Sequence, residues 1–164
     1  MRDFIESIES EFRRYKKLAE GAMAQVADDA DLCRAAGESD NSIAMIVWHM
    51  SGNLKSRFTD FLTADGEKPW RKRDEEFDAR EVARADLLKK WEEGWSVLFA
   101  ALAPLSDADL RKVVTIRLES MRVDQALHRS LGHTAYHAGQ IVYLAKAMRG
   151  ESWKSLSIPR KMPA

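Results

Sequence analysis

The sequence predicts an all-α fold, a four-helix bundle with a short β-hairpin before the last helix. Three observations carry this: four stretches whose apolar residues recur every three or four positions, breakers between them, and a hydrophobic content of 45%. A chain of 164 residues buries roughly two-thirds of its unfolded surface on folding, enough for one core without disulfide or metal staples. No repeat, low-complexity tract or linker interrupts it, so a single domain over residues 1–164 is expected.

The first helix runs from Asp3 to about Val26, with Phe4, Ile8, Phe12, Tyr15, Ala19, Ala22 and Val26 on one face. A polar connector, Ala27 to Asn41, follows, and Asn41 or Ser42 is placed to cap the next helix. That second helix aligns Ile43, Val47, Met50, Leu54, Phe58 and Phe61 and stops before the turn dipeptide Asp65-Gly66. From Asp65 to Asp78 the chain is crowded with charges of both signs and reads as a surface loop.

The third helix is expected over Ala79 to Ala103, with Leu88, Trp91, Trp95, Leu98 and Leu102 as its stripe and Pro104 as its end. Trp91 and Trp95 on that stripe read as core. Between Leu110 and Val123 the β-branched residues Val113, Val114, Thr115 and Ile116 favour an extended hairpin. Asp124 can cap a fourth helix to about Arg149, with Leu127, Leu131, Ala138, Ile141, Ala145 and Met148 facing the core and Gly150 as its stop. Four amphipathic helices of this length are best satisfied by a bundle, and the long links after helices two and three permit a non-sequential order.

Composition excludes several classes of function. Lys plus Arg and Asp plus Glu both number 26, so no net field draws the chain to nucleic acid or an anionic membrane. The apolar runs near Ile43–Trp48 and Val97–Ala103 fall far short of the ~18 residues of a spanning helix. The N-terminus has helical patterning and not that of a signal peptide, so the cytoplasm is the expected compartment. Cys33 is the only cysteine, which rules out an internal disulfide and paired-cysteine metal cages; with Asp28, Asp29 and Asp31 just upstream it reads as a spectator thiol. The basic run Arg71-Lys72-Arg73 could grip a phosphate or carboxylate, but Asp74, Glu75 and Glu76 follow at once, and a solvated loop with internal ion pairs is the expectation.

The four histidines, at 49, 128, 133 and 137, carry the chemistry. His133 and His137 form an HxxxH pair inside the fourth helix, about 40° apart around the axis and about 6 Å along it, so two imidazoles can converge on one ion. Both lie to one side of the apolar stripe, and His49 repeats that offset on the second helix. Three neutral imidazoles at the flank of a helix seam would make an open first-row metal site, whose uncompensated charge activates bound water or thiol. His128 is turned about 140° from His133 and is left out. Asn53, Tyr136 and Gln140 are placed to line the same pocket or hold a ligand. The helix is not that of the HExxH metalloproteases, because Thr134 stands where their glutamate would be. Imidazole suits zinc, nickel, iron and copper alike; zinc and nickel are the first expectation, iron or manganese the next.

The stretches Ile46-Val47-Trp48-His49-Met50 and His133-Thr-Ala-Tyr-His137-Ala-Gly-Gln140-Ile141 resemble the DinB/YfiT superfamily over nearly the whole chain. The segments Asp65-Gly66-Glu67-Lys68-Pro69-Trp70-Arg71 and Trp153-Lys154-Ser155-Leu156-Ser157-Ile158-Pro159-Arg160 resemble a branch of unassigned function. The resemblance implies an up-down-down-up order of helices, a homodimer, and one divalent metal ion on His49, His133 and His137. It also implies chemistry of the kind its characterised members perform, transfer or isomerisation with a low-molecular-weight thiol such as bacillithiol or mycothiol. The expected function is therefore a metal-dependent thiol S-transferase acting on a small electrophile. A metal-activated hydrolase and a non-catalytic, stress-linked binding or dimerisation module with a structural metal are the competing expectations.

Overall fold

The computed structural model describes residues 1–37 and 39–158; Pro159 and Arg160 of the tail segment lie outside them. Among the described residues the chain is mostly helical, with five α-helices and one two-stranded antiparallel sheet. In order these are α1 (Asp3–Met23), α2 (Asp29–Cys33), α3 (Ile43–Phe58), α4 (Arg84–Leu102), β1 (Val113–Ile116), β2 (Glu119–Arg122) and α5 (Val123–Arg149). No helix is long and apolar enough to cross a membrane among the described residues.

The core forms where the apolar stripes meet: α3 packs along α4 and α1 along α5. Phe12, Met50, Leu54, Trp91, Trp95, Leu98, Leu127 and Ile141 are all fully buried there. The two tryptophans are core as expected, Trp95 edge-on to both Phe12 and Trp91. A Cβ at Gly94 would stand 2.7 Å from the Ser51 Cα, so α3 and α4 touch backbone to backbone only because that position has no side chain.

Several boundaries differ from the periodicity. The connector holds a helix of its own, α2, whose first turn is capped by Asp28 accepting from the Ala30 amide at 3.0 Å. Helix α4 starts at Arg84 and not at Ala79, because its first amide donates to the Asp29 carboxylate at 3.0 Å, a cap supplied 55 residues away. Its stripe begins at the buried Leu87, while Leu88 is exposed. Helix α3 ends at Phe58, where Thr59 turns extended and Asp60 adopts a left-handed φ of 51° that its short polar side chain tolerates. Ser42, not Asn41, caps α3 by accepting from the Met45 amide at 3.1 Å. Asp124 lies inside the first turn of α5, where it pairs with the N-cap residue Arg122 at 2.8 Å and complements the helix dipole.

The hairpin forms as the β-branched run suggests, with Val113 opposite Arg122 and Ile116 opposite Glu119. Its two turn residues, Arg117 and Leu118, are both left-handed, at φ of 55° and 66°, without a glycine. The Asp65 carboxylate offsets that strain by accepting both turn amides at 2.9 Å. The Gly66 amide donates to the Thr115 carbonyl at 2.7 Å, so the charged loop after α3 is tied to the hairpin.

Candidate metal centre

The rotation of two helices sets the site. Val47, Met50 and Leu54 anchor α3 in the core, and Thr134, Ala138 and Ile141 anchor α5; with those faces held inward, His49 and the pair His133 and His137 turn toward a common point. One ring nitrogen from each lies within 4.8 Å of the others, the one such group of potential ligands among the described residues. His49 Nε2 and His133 Nε2 are 3.0 Å apart. His49 and His137 are buried and His133 half-buried.

The outer nitrogens decide which way the rings work. His49 Nδ1 is 3.0 Å from Glu76 Oε2 and His137 Nδ1 is 2.7 Å from Gln140 Oε1. Both oxygens are acceptors, so each Nδ1 carries the proton and donates it, which leaves both Nε2 lone pairs free to face inward. Ligands at about 2.0–2.1 Å around a tetrahedral ion stand about 3.3 Å apart, close to the spacing already present between His49 and His133. A carboxylate behind a ligating imidazole is the usual way a protein orients such a ring and raises its basicity. The three residues could therefore hold a metal ion.

Burial keeps the pair on α5 neutral. Desolvation first, then the neighbouring His137, His49 and the guanidiniums of Arg71 and Arg57, pull the His133 pKa down to about 3. Desolvation, opposed by the hydrogen bond that His137 donates to Gln140 and aided by the neighbouring His49, brings the His137 pKa to about 4. Both rings are thus unprotonated at neutral pH, the form that ligates. For Glu76 burial pushes the carboxyl upward, but the hydrogen bonds from Arg71 and His49 outweigh it and hold the group below the ordinary glutamate range, ionised.

The loop expected to be solvated is folded over this centre. Glu76 is buried, and Arg71, with a side chain 2% exposed, clamps it through Nε and Nη2, both at 2.8 Å. Phe77 lies over the His49 ring at 4.8 Å between centroids. Gly52, one turn along α3 from His49, makes room: a Cβ there would meet Glu76 Oε1 at 2.0 Å. The outer part of the run does match expectation, with Lys72 paired to Glu75 and Arg73 to Asp74 in the open.

A cavity of about 470 Å³ opens on the three histidines, and Asn53, Tyr136 and Gln140 line it as the sequence suggested. Gln140 is the partner of His137, and the exposed Tyr136 stands edge-on to the same ring at 4.9 Å. His128 is elsewhere, bonded to the Asp124 carbonyl and packed edge-on against Phe4. Cys33 is half-buried with its Sγ 3.7 Å from the Val82 carbonyl, in a larger cleft of about 790 Å³ that holds no group of ligating side chains among the described residues. Trp48 is half-buried under the Arg80 guanidinium, and Trp70 is exposed.

Sequence reasoning missed Glu76, Arg71 and the other arginines of the cavity wall, Arg57, Arg73, Arg117 and Arg129. The alternating charges of the loop suggested mutual cancellation, and nothing local marks which of them turn inward. One signal was available: Gly52 interrupts a helical pattern three residues after His49, and an isolated glycine there points to a close approach by another segment.

The family model described as Protein of unknown function (DUF1572) matches residues 1–162. No curated protein and no solved structure gives a significant match.

Proposed function

We propose that this chain, which belongs to the DUF1572 family, is a divalent-metal-dependent enzyme, a thiol S-transferase acting on small electrophiles. The observation that carries the reading is the convergence of His49, His133 and His137 with their outer nitrogens already engaged by Glu76 and Gln140. When bound, a divalent ion on three neutral imidazoles keeps its full charge and supplies a low-molecular-weight thiol in its nucleophilic thiolate form. Zinc or nickel suits such a set best, with iron or manganese behind them.

The chain's own residues do the remaining work. Glu76, clamped by Arg71, fixes the His49 ring, and Gln140 fixes His137, so neither ring must reorganise. Phe77 shields one face of the centre from water. Among the described residues lining the cavity there is no aspartate or glutamate to take a proton from water. A thiol needs no such base, since coordination itself lowers its pKa; bound water is activated in the same way, and dependence on thiol is what separates transfer from hydrolysis.

The same proposal takes the chain as one DinB/YfiT-type domain with an up-down-down-up bundle, homodimeric and cytoplasmic, binding a small molecule and neither nucleic acid nor membrane. What supports the bundle is the pairing of α1 with α5 and of α3 with α4. The test is consumption of glutathione or bacillithiol in the presence of an aryl halide, for the metal-loaded protein and for His133→Ala. Turnover that needs both metal and thiol and vanishes in the variant is expected. Metal-dependent turnover of esters that ignores thiol would overturn transfer in favour of hydrolysis. A melting temperature that falls on chelation, with no turnover of any kind, would reduce the ion to a structural tie.

A further inference from the structure

The cavity beside the histidines is walled by arginine to a degree that a chain of zero net charge does not predict. Five guanidiniums reach it from four segments: Arg57 at the end of α3, Arg71 and Arg73 in the loop, Arg117 at the hairpin turn and Arg129 on α5. Behind them lie two carboxylates. Glu67 bonds Arg57 at 3.3 Å and Arg117 at 2.6 Å, and Glu76 bonds Arg71. The exposed Asp74 and Glu119 approach Arg73 and Arg129 at 3.5 and 3.9 Å. Positive charge remains in excess even with all four counted, and none of these carboxylates lines the cavity.

Arg71 presents a buried donor with no partner of its own among the described residues. Its side chain is 2% exposed, its Nε and Nη2 are satisfied by Glu76, and its Nη1 has no hydrogen-bond partner among the described residues. Glu67 Oε1, at 3.9 Å, is beyond hydrogen-bonding reach. A buried guanidinium donor left open on a polar cavity is a place for an oxyanion, whose oxygens suit the planar fork of arginine. The volume, about 470 Å³, is that of a small-molecule site.

We propose that the cavity is an anion-recognition site in which Arg71, supported by Arg57, Arg117 and Arg129, holds a carboxylate or phosphate group of the small molecule acted on at the histidines. As a statement about a substrate this rests on the metal-dependent reading above; the anion site itself is measurable without metal.

Inorganic phosphate and succinate are titrated by calorimetry, at low ionic strength, into metal-free and zinc-loaded protein, into Arg71→Gln, and into the double variant Arg117→Gln/Arg129→Gln. The last two positions are exposed, so that variant keeps its fold and reads the site independently of any folding defect in Arg71→Gln. The expected result is binding of at least one probe by the metal-free protein, weakened tenfold or more in Arg71→Gln and at least threefold in the double variant, whose zinc uptake is unchanged. Preference for phosphate or for succinate assigns the group recognised. No binding in either metal state, or binding that neither substitution weakens, overturns the proposal while zinc uptake leaves the metal reading intact. Anion binding that follows the arginines in a protein that takes up no zinc supports the site and instead removes the metal centre.

Discussion

Replacing Glu76 by glutamine removes one charge at the point where the loop and the histidines are joined. The carboxylate accepts from His49 Nδ1 at 3.0 Å and from Arg71 twice at 2.8 Å. Glutamine keeps the volume and one acceptor oxygen, so the His49 ring can still be held, but less strongly and without a negative charge behind it. Loss of such a supporting partner lowers metal affinity about 10–100-fold, or roughly 1.4–2.7 kcal/mol. The Arg71 guanidinium also keeps one satisfied donor fewer in a buried setting, at a cost of about 1–3 kcal/mol. At about 2–4 °C per kcal/mol for a chain of this size, the melting temperature of the metal-free protein should fall by about 2–12 °C. Competition with a chromophoric chelator measures the affinity, and circular dichroism confirms that the variant is folded. Zinc affinity within twofold of the parent in a folded Glu76→Gln would refute the reasoning, since it would mean that Glu76 does not orient His49.

Gly52→Ala should reach the same carboxylate from the other side: the new Cβ meets Glu76 Oε1 at 2.0 Å, so zinc affinity is expected to drop several-fold with helicity unchanged, and an unaltered chelator titration would contradict this. Gly94→Ala gains about 1 kcal/mol of helix propensity but drives a Cβ to 2.7 Å from the Ser51 Cα, an overpacking worth about 1–3 kcal/mol. Thermal melts should show a fall of up to about 8 °C, and a rise would show that α3 and α4 can separate freely. Asp109 is pulled from the ordinary 3.8 to about 2 by the hydrogen bond it accepts from Lys112 and then by those from the Ser106 amide and hydroxyl. A carboxyl whose pKa is lowered by folding stabilises the fold above its unfolded pKa and loses that contribution as pH falls through the folded value. Denaturant melts of the parent and Asp109→Asn should therefore differ at pH 5 to 7 and converge toward pH 2; a gap that stays constant with pH would be the wrong result.

The helices were legible because their information is local. The stripe from Ile8 to Ala22 and the run Val47, Met50, Leu54 each bury one face, and the spacing of His133 and His137 is a property of any α-helix. The hairpin was legible in its β-branched residues, though not its turn, because Arg117 and Leu118 rely on a carboxylate from Asp65. What escaped the sequence is tertiary in each case. The start of α4 is set by Asp29, far up the chain. The loop residues Arg71 and Glu76 look like solvated charges until Gly52 leaves a groove in α3 for the carboxylate to enter. The offset of the histidines from the apolar stripe suggested a crevice, and the structure has one, but its arginine wall is assembled from four separate segments and has no motif.

The same loop thus has two roles that are separable by mutation. Through Glu76 it stiffens the ring of His49, and through Arg71 Nη1 it offers a donor to whatever enters the cavity. Charge removal at Glu76 should act on metal affinity, whereas substitution of Arg117 or Arg129 should act on anion affinity alone.

Equilibrium dialysis of the purified protein against zinc or nickel, followed by elemental analysis, tests the central claim most directly when repeated on His49→Ala, His133→Ala and His137→Ala. One tightly held ion per chain in the parent, and none in any of the three folded variants, is the expected result. A parent that retains no metal, or variants that retain as much as the parent, would contradict it.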